Sequence, residues 1–124
     1  MTDPAGLRLD LEKDPISAAV SMDLRLSVPY EREMNPAQIG ELSSRLRLLS
    51  SRKSAQYEGM TRIYVISVTL ESGEELFING YSANEDIIDI QYKGTRYVPE
   101  DADFNSYVNL FCIGADTVRA SEAG

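Results

Sequence analysis

The sequence predicts an α+β domain: an antiparallel sheet of about five or six strands, one main helix packed on one face, and a short C-terminal helix. Three features predict this class: alternating apolar and polar residues near the N terminus, one amphipathic helical stripe, and strand-like segments separated by glycine turns in the second half. With 124 residues, 43% of them hydrophobic, the chain can form one core. We therefore expect a single domain over residues 1–124, ordered over about 7–113 and frayed over 116–124.

The N-terminal third is predicted to form two strands. Leucines at positions 7, 9 and 11 alternate with charged residues, which is typical of a short edge strand. A longer alternation begins at Ile16 and continues to Val28. Its apolar members are Ile16, Ala18, Val20, Met22, Leu24, Leu26 and Val28. Because one side of this strand is apolar and the other polar, we expect one face of the sheet to be covered and the other to be wet.

The middle of the chain predicts the main helix. Asn35 is expected as the N-cap residue, with Pro36 as the first helical residue and Gln38 completing a capping box. Apolar residues then recur at spacings of three and four, at Ile39, Leu42, Leu46 and Leu49. The helix should run from Pro36 to about Ser51, and the polar segment 50–59 should be a loop.

The second half predicts an antiparallel meander followed by a short helix. Strands are expected over 62–70, 75–81, 87–92 and 95–98, with glycine turns between them. Pro99 ends the meander, and apolar residues at helical spacing follow at Phe104, Tyr107, Val108 and Phe111. Asp103 is expected to cap this helix, while Asp101 favours its positive end.

Two segments of the meander carry a resemblance to known proteins: residues 70–76 (Leu-Glu-Ser-Gly-Glu-Glu-Leu) and residues 90–97 (Ile-Gln-Tyr-Lys-Gly-Thr-Arg-Tyr). With the strand and the Asn-Pro-capped helix before them, they resemble small extracytoplasmic domains of Gram-positive lipoproteins and membrane-anchored sensors, mostly of unknown function. The resemblance covers about residues 21–111 and carries over no functional residue. It implies an extracytoplasmic location if the printed start follows a removed signal or anchor, and a cytoplasmic one otherwise.

The residue types argue against enzyme activity. The chain has no histidine, which is the usual general base near neutral pH and the commonest metal ligand. Its one cysteine, Cys112, lies in an apolar run where a buried and inert thiol is expected. No glycine-rich phosphate-binding loop is present in the sequence. We therefore predict a non-enzymatic protein without a cofactor.

The net charge of −8 lies entirely in the second half, where residues 63–124 contain three basic residues against eleven acidic ones. An acidic surface disfavours binding to nucleic acid, and no stretch is apolar enough to insert into a membrane. The sequence therefore predicts binding or sensing of a basic protein or peptide partner, and leaves the oligomeric state open. The predicted binding residues are Glu71, Glu74, Glu75, Tyr81, Glu85, Asp86, Asp89 and Tyr97, with the tyrosines exposed at strand ends.

The same acidic residues permit a second hypothesis. A small intracellular inhibitor, such as a phage-type factor, could use carboxylates to imitate the phosphates of a nucleic acid. This hypothesis requires the acidic side chains from Glu71 to Asp89 to form a spaced row on one face.

A short acidic motif resembles the start of a calcium-binding loop. Asp101, Asp103 and Asn105 match its first three ligand positions. The sixth position, which should be glycine, is Ser106, and the twelfth, which should be glutamate, is Cys112. We therefore expect these carboxylates to stabilise the start of a helix rather than to bind a metal ion.

Overall fold

The computed structural model describes residues 6–25, 27–82 and 87–113, and the tail over 116–124 lies outside them. Over these described residues it is an α+β fold with one antiparallel sheet and two helices, as predicted, but the sheet has seven strands rather than five or six. The strands are β1 (Ile16–Asp23), β2 (Tyr30–Glu33), β3 (Ser51–Lys53), β4 (Tyr64–Leu70), β5 (Glu75–Gly80), β6 (Ile88–Tyr92) and β7 (Thr95–Pro99). The helices are α1 (Pro36–Arg47) and α2 (Ala102–Cys112).

The chain crosses the sheet twice, once from edge to edge and once from an edge back to an interior strand. The strand order is β2-β1-β4-β5-β6-β7-β3, so β2 and β3 are the two edge strands. Helix α1 connects these two edges and therefore passes over one face, which we call the helix face. The segment 54–63 returns from β3 to the central strand β4. There the Tyr57 ring lies 5.9 Å from the ring of Tyr81, on the opposite, helix-free face.

The hydrophobic core lies between the helix face and both helices. Alternate residues of the central strands point into it, and its fully buried members include Tyr64, Ile66, Leu76, Ile78 and Ile90. The helices contribute buried residues at helical spacing, namely Leu42, Leu46, Phe104, Val108 and Cys112. The predicted apolar stripes of the two helices therefore form the core, as expected from their spacing.

The strand predictions for the first half need three corrections. Residues 7–11 form no strand, because Leu7 instead donates its backbone N–H to the Ser51 side chain at 2.9 Å. The second predicted strand ends at Asp23, and the chain returns as β2. The segment 50–59 is not entirely a loop, because it contains β3, which pairs with β7. Short polar strands lack the apolar alternation that a sequence reading depends on.

The prediction of which β1 side chains point towards the core is also wrong. Ala19, Ser21 and Asp23 are buried towards the helix face, whereas Val20 and Met22 are half-buried on the helix-free face. A register irregularity between Ile16 and Ala18 begins the strand, and a shift of one residue exchanges the two faces. Met22 lies opposite Val65, which is only 1% exposed, so the helix-free face also buries apolar side chains.

Helix α1 begins as predicted and ends early. The Asn35 side chain accepts the Gln38 N–H at 2.9 Å, and the Gln38 side chain accepts the Asn35 N–H at 2.9 Å. This capping box confirms the predicted N-cap. The helix ends at Arg47 rather than near Ser51, because Ser51 is already paired with Pro99 in the sheet.

Helix α2 is capped by Asp101 and not by Asp103. The Asp101 carboxylate accepts the N–H groups of Asp103 at 3.0 Å and Phe104 at 3.2 Å. Asp103 lies in the first turn, where its charge interacts with the helix dipole. The two roles predicted from the sequence are therefore exchanged.

Asp101→Ala should lower the free energy of unfolding by about 1 kcal/mol, because two helix N–H groups lose their acceptor. Asp103→Ala should cost about 0.3–1 kcal/mol, and less at high salt, because only a dipole interaction is lost. Urea unfolding of both variants at low and high salt measures the difference. A larger loss for Asp103→Ala would contradict this assignment.

Candidate functional site

The residues predicted to form one acidic binding surface lie in different places. Glu71 and Glu75 are exposed at the β4–β5 turn with Glu74 between them, at one end of the sheet. Asp89 pairs with Asn79 near the other end of β5, roughly 13 Å away along the strand. Glu85 and Asp86 lie outside the described residues. The described carboxylates therefore form no single row.

The two predicted tyrosines are less accessible than expected. Tyr81 is only 8% exposed, so the prediction that it is exposed is wrong. Tyr97 lies opposite Ile90 in the sheet and is half-buried on the helix face. Strand ends favour exposure only where no other segment covers them, and Tyr57 from the segment 54–63 covers Tyr81.

Tyr81 and Asp89 belong to a polar network on the helix-free face. The Asp89 side chain is 0% exposed and accepts hydrogen bonds from Asn79 at 3.0 Å and from the Tyr81 hydroxyl at 2.8 Å. Arg96 pairs with its second oxygen at 3.1 Å, and Arg62 donates to the Asn79 side chain at 3.2 Å. A buried carboxylate with three donors is well compensated, so this network stabilises the sheet and the segment before β4.

Burial raises the pKa of Tyr81 to about 12, and the hydrogen bond to Asp89 and the negative charge of Asp89 add to the rise. An unfolded chain would lose this proton near pH 10, the ordinary value for tyrosine. The folded state therefore holds the proton more tightly than the unfolded chain. The resulting contribution of Tyr81 to the free energy of unfolding is present below pH 10 and is lost between about pH 10 and pH 12.

Wild-type protein should thus lose stability between pH 10 and pH 12 more steeply than Tyr81→Phe, which has no proton to lose at this position. The extra loss should be about 2 kcal/mol for a shift of this size. Urea unfolding at pH 9 and pH 11.5 measures it. Parallel pH dependence of the two proteins would show that Tyr81 does not titrate as described.

A second feature is a groove of about 610 Å³ between the two helices. Its lining comes from α1, α2 and the edge strand β2, and comprises Arg32, Gln38, Arg45, Asp103, Ser106, Tyr107, Leu110 and Phe111. The Leu110 side chain is 60% exposed in it. We call it the helix groove.

Two arginine side chains are stacked on aromatic rings in the helix groove. Arg32 lies over Phe111 with its Cζ atom 4.3 Å from the ring centroid, and it donates a hydrogen bond to the Phe111 carbonyl oxygen. Arg45 lies over Tyr107 at 4.4 Å. At these distances each guanidinium cation is attracted to the face of its ring. The groove thus combines cations with aromatic and apolar surface.

Burial raises the pKa of Tyr107, with a further contribution from Glu41 and an opposing one from Arg45. Burial also raises the pKa of the Cys112 thiol to about 12, so this thiol stays protonated at neutral pH. Neither group is suited to act as a base or a nucleophile near neutral pH.

The three residues of the calcium-like motif have different surroundings. The Asp101 carboxylate is engaged by two helix N–H groups, Asp103 is exposed, and the Asn105 side chain is buried. Within the described ranges, no group of three or more Asp, Glu or Cys side chains is arranged to share a metal ion. In the same part of the chain, no helix has the length and apolar character needed to span a membrane.

The fold and the groove define a small α+β domain with a candidate binding site on its helix layer. Comparison with family models, with curated proteins and with solved structures finds no significant match to this chain. The resemblance to lipoprotein and sensor domains therefore stays a prediction.

Sequence reasoning did not identify the groove residues as a site. Arg32 and Phe111 are 79 residues apart in the chain, so their contact follows only from the fold. One signal was available: Arg45 and Leu110 both lie on amphipathic helices, outside the positions that the core occupies. This pattern does not predict that the two helices place these residues in the same groove.

Proposed function

We propose that this protein is a non-enzymatic binding domain that recognises a protein partner through the helix groove. The observation that carries the proposal is the pair of arginine–aromatic stacks beside the exposed Leu110. Arginine and aromatic side chains are enriched where proteins bind each other, and an exposed apolar side chain at such a place provides contact area. The volume of the groove also lies within the range of ordinary ligand sites.

The test compares Leu110 with Leu48, the C-cap residue of α1, which is 83% exposed and lies outside the helix groove. A photo-crosslinking amino acid is placed at either position, and the protein is irradiated in cells that produce it. We expect one defined protein to be crosslinked from position 110 and not from 48, with a lower yield when Arg45→Ala is added. Equal crosslinking from both positions, or none from position 110, would contradict the proposal.

The expectation of a basic partner leads to a second candidate surface. The Asp14 carboxylate accepts the Ser72 N–H at 2.8 Å and the Ser72 hydroxyl at 2.6 Å. These bonds join the segment around Asp14 to the β4–β5 turn, which also carries Glu71 and Glu74. We propose that this acidic end contacts basic partners. Glu71→Gln and Glu74→Gln together should then weaken capture of a basic partner at low salt, and unchanged capture would contradict it.

A further inference from the structure

The outer side of β2 is an open edge of the sheet. Within the described part of the chain, β1 is the only strand that pairs with β2. The Met34 N–H donates to the Ala19 carbonyl oxygen at 2.9 Å, in the same register as the β1–β2 pair. Because residues of an antiparallel strand alternate in the side to which their backbone groups point, those of Arg32 point to β1 and those of Glu31 and Glu33 point outwards. β2 therefore presents two N–H and two C=O groups to a further strand.

The same two residues carry exposed negative charges. Glu31 lies opposite Met22 in the β1–β2 pair, so its side chain is on the helix-free face. Glu33 is two residues further along β2 and therefore has its side chain on the same face, about 6.7 Å away. Both residues are exposed, and no salt bridge within the described ranges involves either of them. Outward backbone groups and carboxylates without a counter-charge thus occur together on this edge.

These charges argue against a second copy of this chain as the added strand. Two β2 strands related by a twofold axis place residues of the same face opposite each other, so Glu31 opposes a glutamate in the registers that pair most of β2. Like charges directly opposite each other destabilise a strand pair, and opposite charges stabilise it. The other edge strand, β3, is already partly occupied, because its Ser51 side chain accepts the Leu7 N–H at 2.9 Å. Charge complementarity therefore favours basic residues at alternate positions of a strand from another protein.

We propose that β2 takes up an extended segment of the partner protein as a further strand, and that this segment carries two lysines or arginines separated by one residue. The inference rests on the proposed function, because Arg32 of β2 forms part of the lining of the helix groove. The added strand is antiparallel, like each strand pair of the described sheet. Its basic residues lie opposite Glu31 and Glu33, and the residue between them lies opposite Arg32 on the helix face. The main-chain bonds provide affinity and the charges provide specificity.

The probe is the capped pentapeptide acetyl-Thr-Lys-Val-Lys-Thr-amide, and its control has glutamate in place of both lysines. Binding is followed by NMR from the backbone amide signals of the purified protein. We expect the lysine peptide to shift the signals of Glu31 and Glu33 in a saturable way. It should bind at least about tenfold more tightly than the glutamate peptide at low salt, and this ratio should shrink at high salt. The amide signal of Lys53, on the other edge strand, should not move.

Backbone methylation tests whether the peptide binds as a strand. In the proposed pairing both lysines direct their N–H groups towards β2, and the central valine directs its N–H away from β2. N-methylation of the second lysine should weaken binding at least about tenfold, because it removes a donor and places a methyl group between the strands. N-methylation of the valine, which adds the same methyl group, should change the affinity by less than about threefold. Equal affinities of the two methylated peptides would show that the peptide is held by charge alone and would overturn the inference.

A pair of double variants tests which carboxylates hold the peptide. Glu31→Gln with Glu33→Gln should weaken the lysine peptide at least about fivefold, as read from the amide signals at these two positions. Both side chains are exposed, so the variant should fold like the wild-type protein. Glu71→Gln with Glu74→Gln removes the same charge from the β4–β5 turn and should change this affinity by less than about twofold. Equal effects of the two double variants would contradict binding at β2.

Two further results would overturn the inference. One is equal binding of the lysine and glutamate peptides at β2. The other is a concentration-dependent shift of the Glu31 and Glu33 amide signals in the absence of peptide, which would identify a second copy of this chain as the occupant of the edge.

The outcome also distinguishes this inference from the proposed function. If a partner is crosslinked at position 110 but the lysine peptide does not bind at β2, only the strand-addition inference fails. If the peptide binds at β2 but no partner is crosslinked, the strand site stands and the proposed function of the helix groove fails.

Discussion

Asp89→Ala should lower the free energy of unfolding by about 3–5 kcal/mol, which is the usual cost of removing one member of a buried ion pair. The Asp89 side chain is 0% exposed and lies 3.1 Å from the Arg96 guanidinium. Its removal leaves the Asn79 amide and the Tyr81 hydroxyl without their acceptor, and leaves Arg96 with the Tyr81 hydroxyl as its acceptor in this network. Urea unfolding at neutral pH measures the loss.

The matched control is Glu41→Ala. The Glu41–Arg45 pair has the same shortest distance of 3.1 Å, but its side chains are 53% and 34% exposed. Exposed helix pairs contribute about 0.3–0.5 kcal/mol, so this variant should remain close to wild type. If both variants lost similar stability, burial of Asp89 would not have the importance that we assign to it.

Gly80→Ala should be the second strongly destabilising substitution, at about 3 kcal/mol or more. A Cβ atom at Gly80 would lie 1.9 Å from Cζ of Tyr64 and 2.2 Å from its Cε2. The Tyr64 ring is 0% exposed and occupies the surface of β5 that a side chain at Gly80 would need. Because the ring is enclosed by the core, it cannot move aside without disturbing its other contacts.

A matched glycine gives the opposite expectation. Gly40 lies within α1, and a Cβ atom there would meet no atom within 4 Å beyond its own helix backbone and chain neighbours. Gly40→Ala should therefore raise stability by about 0.5–1 kcal/mol through helix propensity. In the background of Tyr64→Leu, the cost of Gly80→Ala should shrink, because less side chain remains above β5. An unchanged cost in that background would contradict the ring contact as its cause.

Local signals in the sequence were sufficient to predict that the two helices and the central strands are present. Asn35, Pro36 and Gln38 specify the start of α1 through contacts within three residues, and the structure contains that capping box. The hairpin at Gly73 and the Lys93–Gly94 turn adopt the positive φ angles that their residues favour, with φ of 94° at Gly73 and 77° at Gly94. Such features depend on near neighbours, so they can be inferred from residue order alone.

The features that sequence reasoning missed depend on distant pairings. Strand β3 exists because Ser51, Arg52 and Lys53 pair with β7, and nothing in these three residues predicts a strand. Asp89 belongs to a strand whose other face is apolar, so its charge suggested exposure rather than a buried network. The helix groove joins a β2 arginine to an α2 ring, and this contact requires the complete fold.

The central claim is that the helix groove is the partner-binding surface. Its most direct test uses the partner that crosslinking identifies, purified in its free form. Its affinity is measured for the wild-type protein and for the Arg45→Ala and Arg47→Ala variants. Arg47 is a neighbouring α1 arginine whose side chain pairs with Glu12 and lies outside the groove. We predict that Arg45→Ala raises the Kd at least about tenfold, while Arg47→Ala changes it by less than about twofold. Equal effects of the two substitutions, or no effect of Arg45→Ala, would contradict the claim.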